Sequence, residues 1–243
     1  MKKIPKKRNL NRIHGKEQQA IFRLACPYSF TYAIVRFFIQ MIHPCTELRF
    51  ISPQMGYGVF ATAPIPEGTI VYVKDGLEIV ISQEEYLRHT QEMQEVMEKY
   101  SYIDEHGNRI ISWDFAKYVN HCCQCNTIST GYGFEIAIRD ITAGEQITDE
   151  YGIFNLEKEM PLSCGQEQCR KVIRPSDFDR YYQEWDARIQ QSLPRLFAVA
   201  QPLLPFVDAL TRAELDQLPA HPERYKSVYA LKYRHRPRTN RVA

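Results

Sequence analysis

The sequence predicts a mainly β fold with α: small sheets of short strands, a helical insert and a helical C-terminal extension. Three observations predict it. β-Branched and aromatic residues alternate under Gly and Pro punctuation at 47–73 and again at 134–152. Helical runs with capping residues lie at 82–100 and after Ser176. Strands and helices never alternate as βαβ units, which argues against a doubly wound nucleotide fold.

"ELRFISPQMGYGVFATAPIPEGTIVYV" reads as two or three strands with tight turns. "SQEEYLRHTQEMQEVMEKY" reads as one helix, with Ser82 and Glu85 as a capping box. "DEHGNR" is a turn and "IISW" a short strand. Asp114 is the expected N-cap of a short helix ending near Asn120. "FEIAIRDITAGEQITDEYG" is strand, turn, strand, and Phe134, Ile136 and Ile138 bury one face. Ser176 is the expected cap of "DFDRYYQEWDARIQQSL". Five prolines between 194 and 222 break up the C-terminal part of the chain.

With 243 residues and 44% hydrophobic content, most of the chain is expected to form a packed body. Charge is uneven. Residues 1–16 and 224–243 each hold seven Lys or Arg and no acid, which leaves the stretch between them at −12. An acidic body steers a basic protein partner. Basic ends suit nucleic acid or act as solvated tails, and the tail reading is favoured. Seven cysteines, an odd count in a long chain with no signal-peptide pattern, point to a reduced intracellular setting, cytoplasmic, nuclear or nucleoid. The most apolar run, 28–44, is interrupted by Arg36 and is shorter than the roughly 20 residues of a membrane span.

Four pieces carry chemistry. Gly56-Tyr57-Gly58 lets backbone approach a ligand, although a turn or bulge explains two glycines equally well. Asn120-His121 offers polar groups for a ligand or for buried backbone. Tyr151 ends "GEQITDEYG". "NHCCQCN" and "CGQEQC" together supply at least four thiols from two loops, the ligand count of structural zinc. The alternative is that these cysteines are small buried hydrophobes.

In this order the pieces resemble the SET-domain protein lysine methyltransferases. "GYGVFATAPIPEGTIV" resembles the family's opening GxG strand, and "YVNHCCQCN" its "fiNHsCxPN". "AGEQITDEYG" resembles "GEELTxDYG", and "CGQEQCRKVI" the later part of the post-SET "CxCGxxxCRGxI". The resemblance implies a SET-type β-clip of small curved sheets with a pseudoknot. It implies a basic N-terminal extension with an apolar segment at 1–46 and a catalytic domain at 47–152 with an insert at about 77–112. A post-SET-like segment at 153–175 and a helical extension with a basic tail at 176–243 complete the division. It further implies S-adenosylmethionine as cofactor and a protein lysine as substrate. Gly56, Tyr57, Gly58, Asn120 and His121 then contact the cofactor, and Tyr151 stands at the methyl-transfer channel.

The chain departs from the pattern at four places. Cys125 replaces Pro, and Leu162 replaces the first post-SET Cys. A rebuilt zinc site of Cys123, Cys125, Cys164 and Cys169 is the expectation, with Cys122 in the core. Asp149 stands where many members carry the Phe or Tyr that limits the number of methyls added, and Glu150 replaces Asp. Two rival readings are a SET-like interaction module that no longer catalyses and a zinc-dependent nucleic-acid binder using the basic ends.

Overall fold

The computed structural model describes residues 40–162 and 164–234. The N-terminal segment 1–39, with most of the apolar run at 28–44, and the end of the basic tail lie outside the described residues. The fold is mixed, with five small sheets and several helices among the described residues. No helix among them is long and apolar enough to cross a membrane.

β1 (Thr46–Ser52) pairs antiparallel with β2 (Gly56–Ala61). The Gly and Pro punctuation then turns the chain into β3 (Ile70–Val73). β3 joins β8 (Thr127–Ser129) and β9 (Phe134–Ala137) in a sheet of order β3-β9-β8. The alternation read in the sequence places the two faces of this sheet. Ile70, Ile128, Phe134 and Ile136 turn one way, onto Phe178, Trp185 and Ile189 of α3 (Asp177–Ser192). Val71 and Ala137 turn the other way, onto Val59, Ala61, Ile141 and Ile147.

The insert is β4 (Ile79–Ile81), β5 (Tyr102–Ile103) and β6 (Arg109–Ile111) in the order β4-β6-β5, with helices beside them. The single helix expected at 82–100 is two, α1 (Gln83–Leu87) and α2 (Gln91–Tyr100). Ser82 caps the first as expected, its hydroxyl accepting from the Glu85 amide at 3.2 Å. Thr90 is the reason for the break. It adopts an extended conformation (ψ 160°) and accepts the Met93 amide, so it starts a second helix inside the run. Asp114 caps a 3-10 turn, Phe115–Tyr118, accepting the Ala116 amide at 2.8 Å.

Ser176 makes no capping bond to α3. Asp177 ties down the preceding turn instead, its carboxylate accepting the Arg174 amide at 3.1 Å. After α3 the prolines confine the chain to 3-10 turns and one helix, α4 (Ala209–Gln217). A strap at 225–228 is held by Asp186 of α3, whose buried carboxylate accepts from the Tyr225 and Ser227 hydroxyls and the Val228 amide.

Candidate active site

The two-residue strands β7 (Asn120–His121) and β10 (Thr148–Asp149) pair in parallel, Asn120 beside Thr148 and His121 beside Asp149. Parallel pairing of such short pieces needs outside support, and Asn126 supplies it. Its side chain donates to the Gln146 carbonyl at 2.8 Å and to Glu145 at 3.0 Å, and accepts the Thr148 amide at 2.8 Å. Segments 120–126 and 145–149 are thereby tied together, and Tyr151 lies two residues after β10.

Tyr151 donates its hydroxyl proton to the Val119 carbonyl at 2.6 Å. Burial, then the charges of Asp149 and Glu135, raise its pKa above the ordinary phenol value, so it stays protonated. The proton is committed to Val119, which leaves the oxygen lone pairs for other contacts. Its ring stands 5.2 Å from that of Phe154 and 5.5 Å from that of His121. From behind, Trp185 packs on Gly152: a Cβ on that glycine would lie 2.8 Å from the indole ring. The C-terminal helix α3 therefore supports the backbone that carries Tyr151.

Asn120 donates to the Tyr57 carbonyl at 3.0 Å, tying β7 to the glycine strand. Gly56 has φ +78° and open space where a side chain would project. Gly58 differs: a Cβ there would meet Ile51 at 2.6 Å and Gln146 at 2.7 Å. The absent side chain of Gly58 makes room for the chain's own residues, whereas Gly56 is open. Tyr57 is 47% exposed and continues through Tyr118 (ring centres 5.7 Å apart) to Tyr100 (5.6 Å). A row of one exposed and two half-buried tyrosines beside an open glycine and an amide side chain fits a cationic, polar cofactor.

The His121 side chain is only 4% exposed. Its Nδ1 lies 3.0 Å from the Asp149 carbonyl and 3.2 Å from the Tyr151 amide, which donates to it. Its Nε2 lies 3.5 Å from Cys123 Sγ. Burial, then Arg170, lowers its pKa to about 4, so the ring is neutral. The imidazole thus links Tyr151 to the thiols.

Cys123, Cys164 and Cys169 place their sulfurs within 4.8 Å of one another. Cys164 is lowered to about 7: burial opposes this, but backbone amides and the two neighbouring thiols favour its thiolate. Three soft donors in mutual reach suit a zinc ion. The fourth expected ligand does not join them. Cys125 is 1% exposed, and its sulfur lies 3.8 Å from Arg188 of α3, which also donates to the Cys125 carbonyl at 3.2 Å. The physical reason is Asn126: its fixed bonds to 145–148 turn the preceding residue inward, and burial raises the Cys125 thiol pKa. Cys122 is buried, as expected.

Two further features were not expected from the sequence. Arg170, just past the last thiol, donates to both oxygens of Glu150 at 2.6 and 2.8 Å and lies over the Tyr181 ring. It ties its own segment to the residue before Tyr151, and only its place next to Cys169 hinted at this. The other is a cavity of about 460 Å³ between the insert and the 149–161 segment. Tyr72, Tyr102, Tyr151 and Phe154 line it, together with the carboxyl-bearing Glu135 and Asp149. The β9 alternation put Glu135 opposite the core face, but that side opens onto this cavity rather than onto bulk water.

Comparison with known proteins agrees with this arrangement. Histone-lysine N-methyltransferase trithorax of Drosophila melanogaster is 35% identical over 65 residues, which cover 24% of this chain and 2% of that protein. The chain thus spans a very small part of that relative's length. Residues 56–152 match the SET domain family, and this stretch contains Gly56, Asn120, His121 and Tyr151.

Proposed function

We propose that this chain transfers methyl groups from S-adenosylmethionine to lysine side chains of a protein substrate. The observation that supports this best is the position of Tyr151. It stands at the inner wall of the aromatic cavity and two residues beyond the strand that pairs with Asn120–His121. On this reading the cofactor approaches along the Gly56 side and the lysine through the cavity, and the two meet at the Tyr151 hydroxyl. S-Adenosylmethionine, when bound, supplies a methyl group on a cationic sulfonium. Gly56, Tyr57 and Asn120 would hold it, Gly58 and His121 would shape the site from inside, and the substrate lysine would enter past Tyr102 and Phe154. Alignment is the main requirement of such a displacement. The Tyr151 oxygen and nearby carbonyls favour a polarised methyl through weak CH···O contacts.

The SET match and the relative's printed name as a histone-lysine N-methyltransferase support this class of activity. A protein substrate is the partner. The basic ends, 1–16 and 224–243, are read as solvated tails, with nucleic acid as the other partner class their charge would suit, and the setting as intracellular. The alternative is an inactive SET-like interaction module, which Asp149 at an aromatic position would favour. Calorimetric titration tests the first step, and turnover on a protein substrate then separates the two. Heat and a thermal shift with S-adenosylmethionine, both weakened in Asn120→Ala, support the enzyme; no heat at millimolar cofactor removes it.

A post-SET-like segment with one zinc belongs to the same reading. Cys123, Cys164 and Cys169 supply three ligands, and Leu162 stands at the position of a fourth. Protein purified without chelator is expected to carry about one equivalent of zinc. Cys164→Ser should lose it, whereas Cys125→Ser should keep it, since that thiol faces Arg188. Elemental analysis of the three proteins checks this, and wild type with less than about a tenth of an equivalent would make the thiols core filler.

A further inference from the structure

The cavity beside Tyr151 has a floor unlike its walls. Asp149 is fully buried and Glu135 presents a buried Oε2 with no hydrogen-bond partner. Both carboxyls line the cavity, where the charge of each bears on the other. Asp149 is oriented by the Ser129 hydroxyl at 3.1 Å and the Glu150 amide at 2.7 Å. Among the described residues neither carboxyl is in an ion pair.

The bases of the cavity are engaged elsewhere or stand near its mouth. Arg109 pairs with Glu157, and Lys158 with Glu98. Lys99 and Lys117 lie near the rings of Tyr100 and Tyr118. On the Ser129 side of Glu135, Lys74 lies 4.0 Å from Asp104, with Glu105 beside them. Glu78 and Asp114 act on Glu135, and Glu150, itself held by Arg170, acts on Asp149. The remaining neighbours are the neutral His121 and the phenols of Tyr72, Tyr102 and Tyr151. A buried pair of carboxyls in such surroundings cannot carry two negative charges, so it holds one shared proton and one negative charge near neutral pH.

We infer that Asp149 and Glu135 form a proton-accepting pair that takes the proton from the incoming lysine ammonium. The inference rests on the methyl-transfer reading. The ammonium enters between Tyr102, Tyr151 and Phe154, drawn by the single negative charge and the aromatic faces. One N–H bond breaks, its electron pair stays on nitrogen as the lone pair, and one O–H bond forms on the carboxyl pair. The neutral amine beside the Tyr151 oxygen is the nucleophile that methyl transfer needs. After transfer the positive charge resides on the methylated nitrogen, and the pair returns its extra proton to solvent. In this chain the acceptor is built into the floor.

The test is the pH dependence of single-turnover methyl transfer to a library of lysine-centred peptides, for wild type, Asp149→Asn and Glu135→Gln. The wild-type rate is expected to fall below about pH 7, where Asp149 titrates. Asp149→Asn should lose at least about 10²-fold at pH 7, the lower end for a positioned acid–base group. It should recover roughly tenfold per pH unit toward pH 10, where lysine loses its proton in solution. Glu135→Gln should move the wild-type profile to higher pH, because the carboxyl proton that Glu135 offers the Asp149 carboxylate is replaced by a weaker amide donor. Variants with the wild-type rate and profile would overturn the inference and leave the methyl-transfer reading intact. A wild type silent on every peptide would overturn both.

A second measurement is independent of turnover. A carboxyl raised by burial keeps its proton in the folded state to higher pH than in the unfolded state. Folded protein therefore loses stability as pH rises from about 4 to about 7. The melting temperature of Asp149→Asn relative to wild type should climb between pH 5 and pH 8. A flat difference would overturn the shared proton.

Discussion

Tyr151→Phe is expected to lower methyl transfer by about 10²–10³ while leaving cofactor affinity near the wild-type value. The hydroxyl is held by the Val119 carbonyl at 2.6 Å, so its oxygen has a fixed place and free lone pairs. The ring packs against Phe154 and His121 and stays in the variant. One carbonyl loses its donor, which costs about 1 kcal/mol of stability. Rate and fold must therefore separate. Single-turnover transfer, a cofactor titration and a melting curve on the same preparation check it. A variant that turns over at the wild-type rate would remove Tyr151 from the reaction.

Trp185→Ala is expected to destabilise the fold by about 3–5 kcal/mol, the range for removing a buried aromatic. Trp185 is 2% exposed, meets Phe178 edge-on at 5.8 Å and packs on the Gly152 backbone. Removing it opens a cavity under the residue next to Tyr151. Denaturant unfolding measures the first effect. At temperatures where the variant remains folded, a further drop in turnover with little change in cofactor binding would measure the second. Unchanged stability would mean that α3 does not buttress the site.

The parts that were legible in the sequence are those where one residue type answers a local demand. Gly56 needs φ +78°, Asp114 caps a turn, and the Phe134–Ile136 alternation sets the faces of one sheet. Asn120, His121 and Tyr151 were singled out through motif order, and the fold brings them near one another. The misreadings share a different cause. Thr90 divides a helix because its own side chain competes for the backbone, and a run free of Gly and Pro conceals that. Cys125 has the right element and spacing for a metal, but the side-chain bonds of Asn126, made to residues some twenty positions away, turn it inward. Glu135 carried no reading in the sequence, because its role depends on the cavity that the insert and the 149–161 segment form over it. Arg170 and Trp185 act on Glu150 and Gly152 through tertiary contacts that have no sequence period.

The central claim is that this chain methylates lysine. Incubating the purified protein with isotopically labelled S-adenosylmethionine and a broad protein mixture, followed by mass spectrometry, tests it most directly. Labelled methyl groups are predicted on lysine side chains of one or a few proteins, and they should disappear with Tyr151→Phe. Cofactor binding without label on any lysine, or label that persists undiminished in the Phe variant, would contradict it.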